Sequence, residues 1–349
     1  MRLIVILISF ALTVCLHAQE TGDAFRKYEA DVSKAVDRGF EYLISKEEPG
    51  GSFPESHGRS TGISSLVGMA LLAKGHVPGQ GEHGKAIERR IKYCLDHSSD
   101  DGLIDCGEHG NGPMYAHNIS TLFLSEVSGM VSGEQQKGID KVLPKALQVI
   151  LRSQAVRKDE QHQGGWRYHP GSNDSDLSCS GWALMALRSA TLNGAPIPPE
   201  AITNAVKYVY RNMERKAGHF GYMDAHQHKD TLTGAGLLCL ELCDKHGSPE
   251  NIRAGEWILS NFRDLPRAEF EYYGNYYNAQ GMFQLGGKYW RNYCDWMYPH
   301  YLEEQAADGS WRDSRFGKIY GTAMMILAFT VPGRQLPIYQ RDERVDEDQ

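Results

Sequence analysis

Positive charge is scarce in this chain. Its 37 Lys and Arg are outnumbered by 44 Asp and Glu, for a net charge of −7, and the basic residues do not cluster, which sets nucleic acid aside as a partner. Long hydrophobic runs are scarcer still. The one at the N-terminus, residues 3–16, stops short of the roughly 20 residues a bilayer demands, and no later segment approaches that length, so no membrane span is expected in the mature chain. What is left is a chain of 349 residues, 41% apolar and 23% charged, with material for a sizeable globular core.

The N-terminal run follows Arg2 and gives way at Ala18 to a polar stretch, the layout of a secretory signal peptide over residues 1–18. Export to the periplasm or the medium is therefore expected. Leu12-Thr13-Val14-Cys15 is similar to a lipobox, but the bulky Val14 stands where such boxes carry a small residue, which weighs against anchoring at Cys15. Six further cysteines follow, at 94, 106, 179, 239, 243 and 294. An oxidising compartment permits disulfides among them, and spacing alone does not choose a pairing. Cys179 and Cys239 lie inside apolar helical runs, where a thiol acts as a small apolar side chain. At the far end, residues 332–349 close on "RDERVDEDQ" and read as a polar, acidic, disordered tail.

Between these ends one two-part unit recurs six times. The first unit runs "AVDRGFEYLISKEEPGGSF" into "GISSLVGMALLAKG", the fourth "AITNAVKYVYRNMERKAGHFGY" into "LTGAGLLCLELCDKHG", and the sixth "YLEEQAADGSW" into "GTAMMILAF". The fifth, "NIRAGEWILSNF" then "YYNAQGMFQLGGKYW", is the most divergent. The leading segment of each unit is amphipathic: Ile202, Ala205, Val206, Val209 and Met213 fall on one stripe of a 3.6-residue helix. The trailing segment is apolar on all sides and rich in small residues, as expected of an enclosed helix. Alternating wet-faced and enclosed helices fit an inner ring wrapped by an outer ring, an all-α (α/α)6 toroid over residues 19–331. An open solenoid of the same units would leave enclosed helices exposed at two ends. Phe53, Ile104, Trp166, Phe220 and Trp311, each two residues after a glycine, are then expected to pin the turn between the rings.

The stretch with Gln305, Gly309 and Trp311, after Tyr301-Leu302, resembles the QW repeat of squalene and hopene cyclases. Glu47, Gly51 and Phe53 repeat the spacing, as do Glu214, Gly218 and Phe220. The resemblance covers about residues 30–331 and implies the toroid of terpenoid cyclases and protein prenyltransferases. It lies nearest to the exported bacterial prenyltransferase and squalene oxidase repeat proteins, a group named for its repeat and not for a common reaction. Cyclases of the hopene type protonate an alkene with a D-x-D-D motif. Here "SNDSDLS" supplies Asp174 and Asp176, with Leu177 in place of the next Asp. The pair is either an acid–base site or a cap for the helix starting near Leu177. The Asp-x-Cys zinc pair of prenyltransferases is absent. "DCGEHGN" resembles a thioester loop, but His109 replaces the Gln that would acylate Cys106. His226 and His228, with Asp224 and Asp230, form a weak metal pattern beside the commoner reading of solvated loop histidines. No metal and no cofactor is therefore assigned.

The loops before the inner helices should line one mouth of the ring. Asp176, Asp230 and Asp174 are the candidate catalytic groups there, and Tyr115, His117, Asn118, Tyr276, Tyr277, Gln280 and Tyr320 the candidate ligand-binding ones. The alternative for these polar groups is that they cap helices and bond one another. Three functions stay open: binding of an isoprenoid or other apolar chain, with cyclase-like or mutase-like chemistry if it is an enzyme; carbohydrate binding or cleavage; and a non-catalytic protein-interaction module of the cell envelope. A deep apolar cavity would favour the first, a polar groove with aromatic platforms the second, a lumen filled by side chains the third.

Overall fold

The computed structural model describes residues 24–54, 58–107, 110–131, 133–243, 245–333 and 335–340. The expected signal peptide, with Cys15, lies outside them. Twelve α-helices among the described residues form six pairs: α1 (Glu29–Lys46) and α2 (Thr61–Ala73), α3 (Gly81–Asp96) and α4 (Met114–Val127), α5 (Gly133–Ala155) and α6 (Leu177–Leu192), α7 (Pro199–Arg211) and α8 (Thr233–Glu241), α9 (Pro249–Asn261) and α10 (Glu271–Leu285), α11 (Gly287–Glu303) and α12 (Gly317–Phe329). None of them is long and apolar enough to cross a membrane.

The pairs arrange themselves as the hydrophobic pattern dictates. Even-numbered helices pack side by side in the order α2, α4, α6, α8, α10, α12 and back to α2, which closes the inner ring of an (α/α)6 toroid. They are buried along nearly their whole length; in α10 every residue from Tyr272 to Gln284 is inside. Odd-numbered helices bury one stripe and wet the other face. α7 buries Ala201, Ala205, Val206, Tyr208 and Val209, with the expected Ile202 half-buried and Met213 buried just past the helix end.

One turn device joins the rings, and it reaches forward. Gly51, Gly102, Gly164, Gly218 and Gly309 all take positive φ between 85° and 94°. Each presses its backbone on the next outer helix, against Arg89, Lys145, Asn204, Arg253 and, across the ring closure, Arg38. A Cβ at Gly51 would lie 3.0 Å from the Arg89 carbonyl oxygen, one at Gly218 2.5 Å from that of Arg253. Two residues on, Phe53, Ile104, Trp166, Phe220 and Trp311 are each 2% exposed or less. Three of their amides donate to a hydroxyl of the inner helix: Trp166 N–H to Ser180 Oγ (2.8 Å), Trp311 N–H to Thr322 Oγ1 (3.0 Å), Phe220 N–H to Thr233 Oγ1 (3.3 Å). The glutamine place reaches forward as well. Gln305 Nε2 donates to the Ala35 and Gly309 carbonyls (2.7 and 2.9 Å), and Gln154 does the same for Ala201 and Gly164 (2.9 Å each). In the first unit Glu47 serves by the opposite charge logic, pairing with Arg89 (2.6 Å) and the fully buried Arg90 (3.4 Å) of α3.

One expectation changes. The tail does not start at 332: Leu336, Ile338 and Tyr339 turn back into the ring at the C-terminal ends of the inner helices. There Ile338 N–H donates to Glu126 Oε2 (3.3 Å), Gln284 Nε2 donates to the Tyr339 carbonyl (3.4 Å), and the Tyr339 and Tyr276 hydroxyls bond each other. Apolar burial wins over the acidic composition there; residues 341–349 lie outside the described ones. The six described cysteines are free thiols, so no disulfide links them, and Cys179 and Cys239 are core residues.

The contrast between two glycines of similar φ tests the turn device. Gly309→Ala meets both left-handed strain and the Arg38 backbone, whereas Gly194 (φ 83°) faces open space. Urea unfolding should show a loss of about 3 kcal/mol or more for Gly309→Ala against about 1 kcal/mol for Gly194→Ala. Equal losses would mean the close approach carries nothing.

Candidate functional site

The mouth lies where the inner helices begin, and α6 places its chemistry. Asp176 caps α6: its Oδ1 accepts from Cys179 N–H (2.8 Å) and from Ser178 Oγ (2.9 Å). The capping reading therefore holds for Asp176 and not for Asp174, and it does not exhaust the residue. Asp176 is fully buried, and its Oδ2 has no donor. Burial raises its carboxyl from the ordinary 3.8 to about 6, against the lowering pull of its hydrogen bonds and of Arg167.

Arg167 comes from the turn one residue past the Trp166 anchor. Its Nε stands 3.5 Å from Asp174 Oδ2 and 3.9 Å from Asp176 Oδ2, and its Nη1 is buried without a partner. The guanidinium is held between the rings of Tyr168 and Tyr222 (4.5 and 5.5 Å), whose hydroxyls bond each other. On the other side the Tyr115 hydroxyl bonds Ser178 Oγ, which links it through Ser178 to Asp176. Tyr273, buried on α10 beside Tyr277 (ring centroids 4.7 Å apart), completes the set near Tyr320. Burial pushes the phenols of Tyr115, Tyr222, Tyr273 and Tyr320 upward, so all are neutral donors near neutral pH.

Of the residues singled out by sequence, Tyr115, Asp174, Asp176 and Tyr320 meet at this mouth. Four others lie deeper. Tyr276 stacks on Trp182 (5.8 Å), Tyr277 packs edge-on to the same indole (5.5 Å), Asn118 reaches toward Cys179 Sγ (3.6 Å), and Gln280 lines a cavity of about 10 Å³ beside Tyr339. His117 is a wall residue. Its Nδ1 accepts from Ile104 N–H (3.0 Å), doing for the second unit what Ser180 does for the third, and Nε2 donates to the Ala146 carbonyl (3.1 Å). Burial lowers it to about 4, which keeps it neutral. Asp230 is half-exposed and bonded to His228 Nε2 (2.8 Å), while His226 donates its amide to Asp224. The mouth residues missed by sequence are Arg167, Tyr168, Ser178, Tyr222 and Tyr273. One signal could have found two of them: Tyr168 and Tyr222 both stand two places after a buried anchor, Trp166 and Phe220.

No family model matches the chain, and no curated protein matches it. Solved structures do. A variant of the type II terpene cyclase MstE from Scytonema, in complex with geranylgeranyl dihydroxybenzoate, is 12% identical, with 88% of this chain and 98% of that one covered at a TM-score of 0.57. An inactive variant of the α-1,6-mannanase GH76A from Salegentibacter sp. HEL1_6, in complex with α-1,6-mannotetrose, is 9% identical, with 87% and 99% covered at 0.63. At these identities the likeness is one of fold: the chain is an α/α toroid, a class whose members named here act on ligands as unlike as a prenylated aromatic and a mannan.

The raised carboxyl makes a stability prediction. Between pH 3.8 and about 6 the folded chain holds the Asp176 proton more tightly than the unfolded chain does, so rising pH costs stability through that window, and the full cost persists above it. Asp176→Asn keeps a capping side chain and removes the charge. Relative to the parent it should gain about 3 kcal/mol at pH 7.5, shrinking towards zero near pH 4, as read by urea unfolding. A gain that does not change with pH would contradict the assignment.

Proposed function

We propose that this toroid binds a small hydroxylated ligand of the carbohydrate class at the tyrosine-lined mouth, with Asp176 as the group that gives or takes a proton there. The observation that carries the reading is the pair Asp176 Oδ2 and Arg167 Nη1, an acceptor and a donor, both buried and both without a hydrogen bond, the ion pair from Arg167 Nε to Asp176 Oδ2 being long at 3.9 Å. Buried polar atoms are rarely left unpaired, and a ligand hydroxyl, which donates and accepts, satisfies one of each. The Tyr168, Tyr222 and Tyr115 rings offer flat faces with polar edges, and Asp174 adds a second carboxylate on the same guanidinium.

The fold alone admits an apolar chain or a sugar, as its two structural neighbours illustrate. The interior favours the sugar. Cavities near the tail measure about 60 and 10 Å³, against the ~300–1,000 Å³ of a small-molecule pocket. Trp182, Tyr276, Tyr277 and Tyr339 occupy the lumen. One observation supports the isoprenoid reading in second place: part of that filling is the chain's own residues 336–339, whose withdrawal would uncover an aromatic-lined space.

Calorimetric titration with neutral oligosaccharides, α-1,6-mannotetraose among them, tests the proposal. Saturable binding that weakens about tenfold or more in Arg167→Ala and Asp176→Asn is expected. No binding to the parent, together with uptake of an apolar fluorophore once Tyr339→Ala opens the lumen, would move the assignment to the apolar chain.

A further inference from the structure

The fifth unit breaks the turn device that the other five share. In place of a glycine turn it carries a 3₁₀ segment, Phe262–Arg267, and then Phe270 at φ 66°, the one non-glycine residue with positive φ among the described residues. The next residue is Glu271, first in α10. Facing it, α11 brings His300 and its cap Glu304, one helical turn apart, onto the same side. One ligand atom from each of the three lies within 4.8 Å of the other two. We propose that Glu271, His300 and Glu304 bind one divalent transition-metal ion, of which zinc is the type, at this seam between the fifth and sixth units.

The polar atoms here are arranged for a partner they do not find in the protein. Glu271 Oε1 is buried without a donor. His300 Nε2 stands 3.3 Å from Glu304 Oε1 without the alignment of a hydrogen bond. The fully buried Tyr301 turns its hydroxyl towards Glu271 without reaching good hydrogen-bond geometry. The charged groups that act on Glu271 are Glu304 and Asp313, both negative. Two carboxylates and an imidazole are a donor set that zinc accepts at about 2.0–2.2 Å, with room left for water. The surroundings fix the donors: His300 stacks on Trp296 (5.2 Å, 15°), and Glu304 Oε2 accepts from the Tyr272 hydroxyl (3.3 Å). His300 and Glu304 keep about a third of their side-chain surface in solvent, which leaves the ion a way in.

The test is calorimetric titration of the chelator-stripped full chain with zinc chloride, with cobalt(II) absorption as a second readout. The expected result is about one ion per chain, with affinity falling at least about tenfold in both Glu271→Gln and His300→Ala, and unchanged in His228→Ala and in Asp176→Asn. Retained cobalt absorption in His228→Ala and its loss in His300→Ala would support the same seam. Absence of one-to-one binding in the parent, or binding that survives Glu271→Gln and His300→Ala but fails in His228→Ala, would overturn the proposal. The Asp176→Asn arm keeps this site separate from the mouth.

Discussion

Five of the six units of this protein are each held to the following one by a glycine that has no room for a side chain. The positive φ of Gly51, Gly102, Gly164, Gly218 and Gly309 lets the turn pass directly over the backbone of the next outer helix, and the residue two places on then drops into the core. Because the contact points forward, each unit sets the position of its successor. Because Gly309, Gln305 and Arg38 make the same contact from the sixth unit to the first, the series has no end to fray. A ring of enclosed helices is stable only on that condition, since an open end would leave an apolar helix face in water.

This explains what the sequence disclosed and what it hid. The architecture was legible because it is written in recurring local signals: a 3.6-residue stripe and an apolar run in all six units, and in five of them a glycine two places before a buried anchor. The mouth was legible only in part. Tyr115, Asp174, Asp176 and Tyr320 were found because each lies at or near the start of an inner helix, where a ring must open. His117 satisfies the same positional rule, yet it closes the turn of its own unit, because a histidine nitrogen can stand in for the serine or threonine hydroxyl used elsewhere. Arg167 and Tyr273 left no trace, since their roles depend on which neighbours the closed ring brings across. The tail misled for a related reason. Acidic composition describes residues 341–349, but Leu336, Ile338 and Tyr339 are few enough to vanish in an average and apolar enough to fill the lumen.

The departures from the repeat coincide with its chemistry. The third unit stretches its turn into residues 164–176 and thereby delivers Arg167, Tyr168 and Asp176 to the mouth. The fifth gives up the glycine turn altogether and builds its inner helix from Tyr, Asn and Gln, and at that point Glu271 is carried to His300 and Glu304. Units one and two, which keep the device with the least embellishment, contribute fewer groups to either place. A ring in which a few equivalent positions carry the scaffold leaves the remaining positions free to diverge, and orphaned polar atoms are found where they have done so.

The central claim is closure, and native-state hydrogen exchange read by mass spectrometry tests it most directly. In a closed ring the first and last inner helices, α2 and α12, are as enclosed as α6 and α8, so their slowest amides should exchange together at the rate of global unfolding. If α2 and α12 exchange markedly faster than α6 and α8, the molecule has ends, and the account of a glycine-locked ring is wrong.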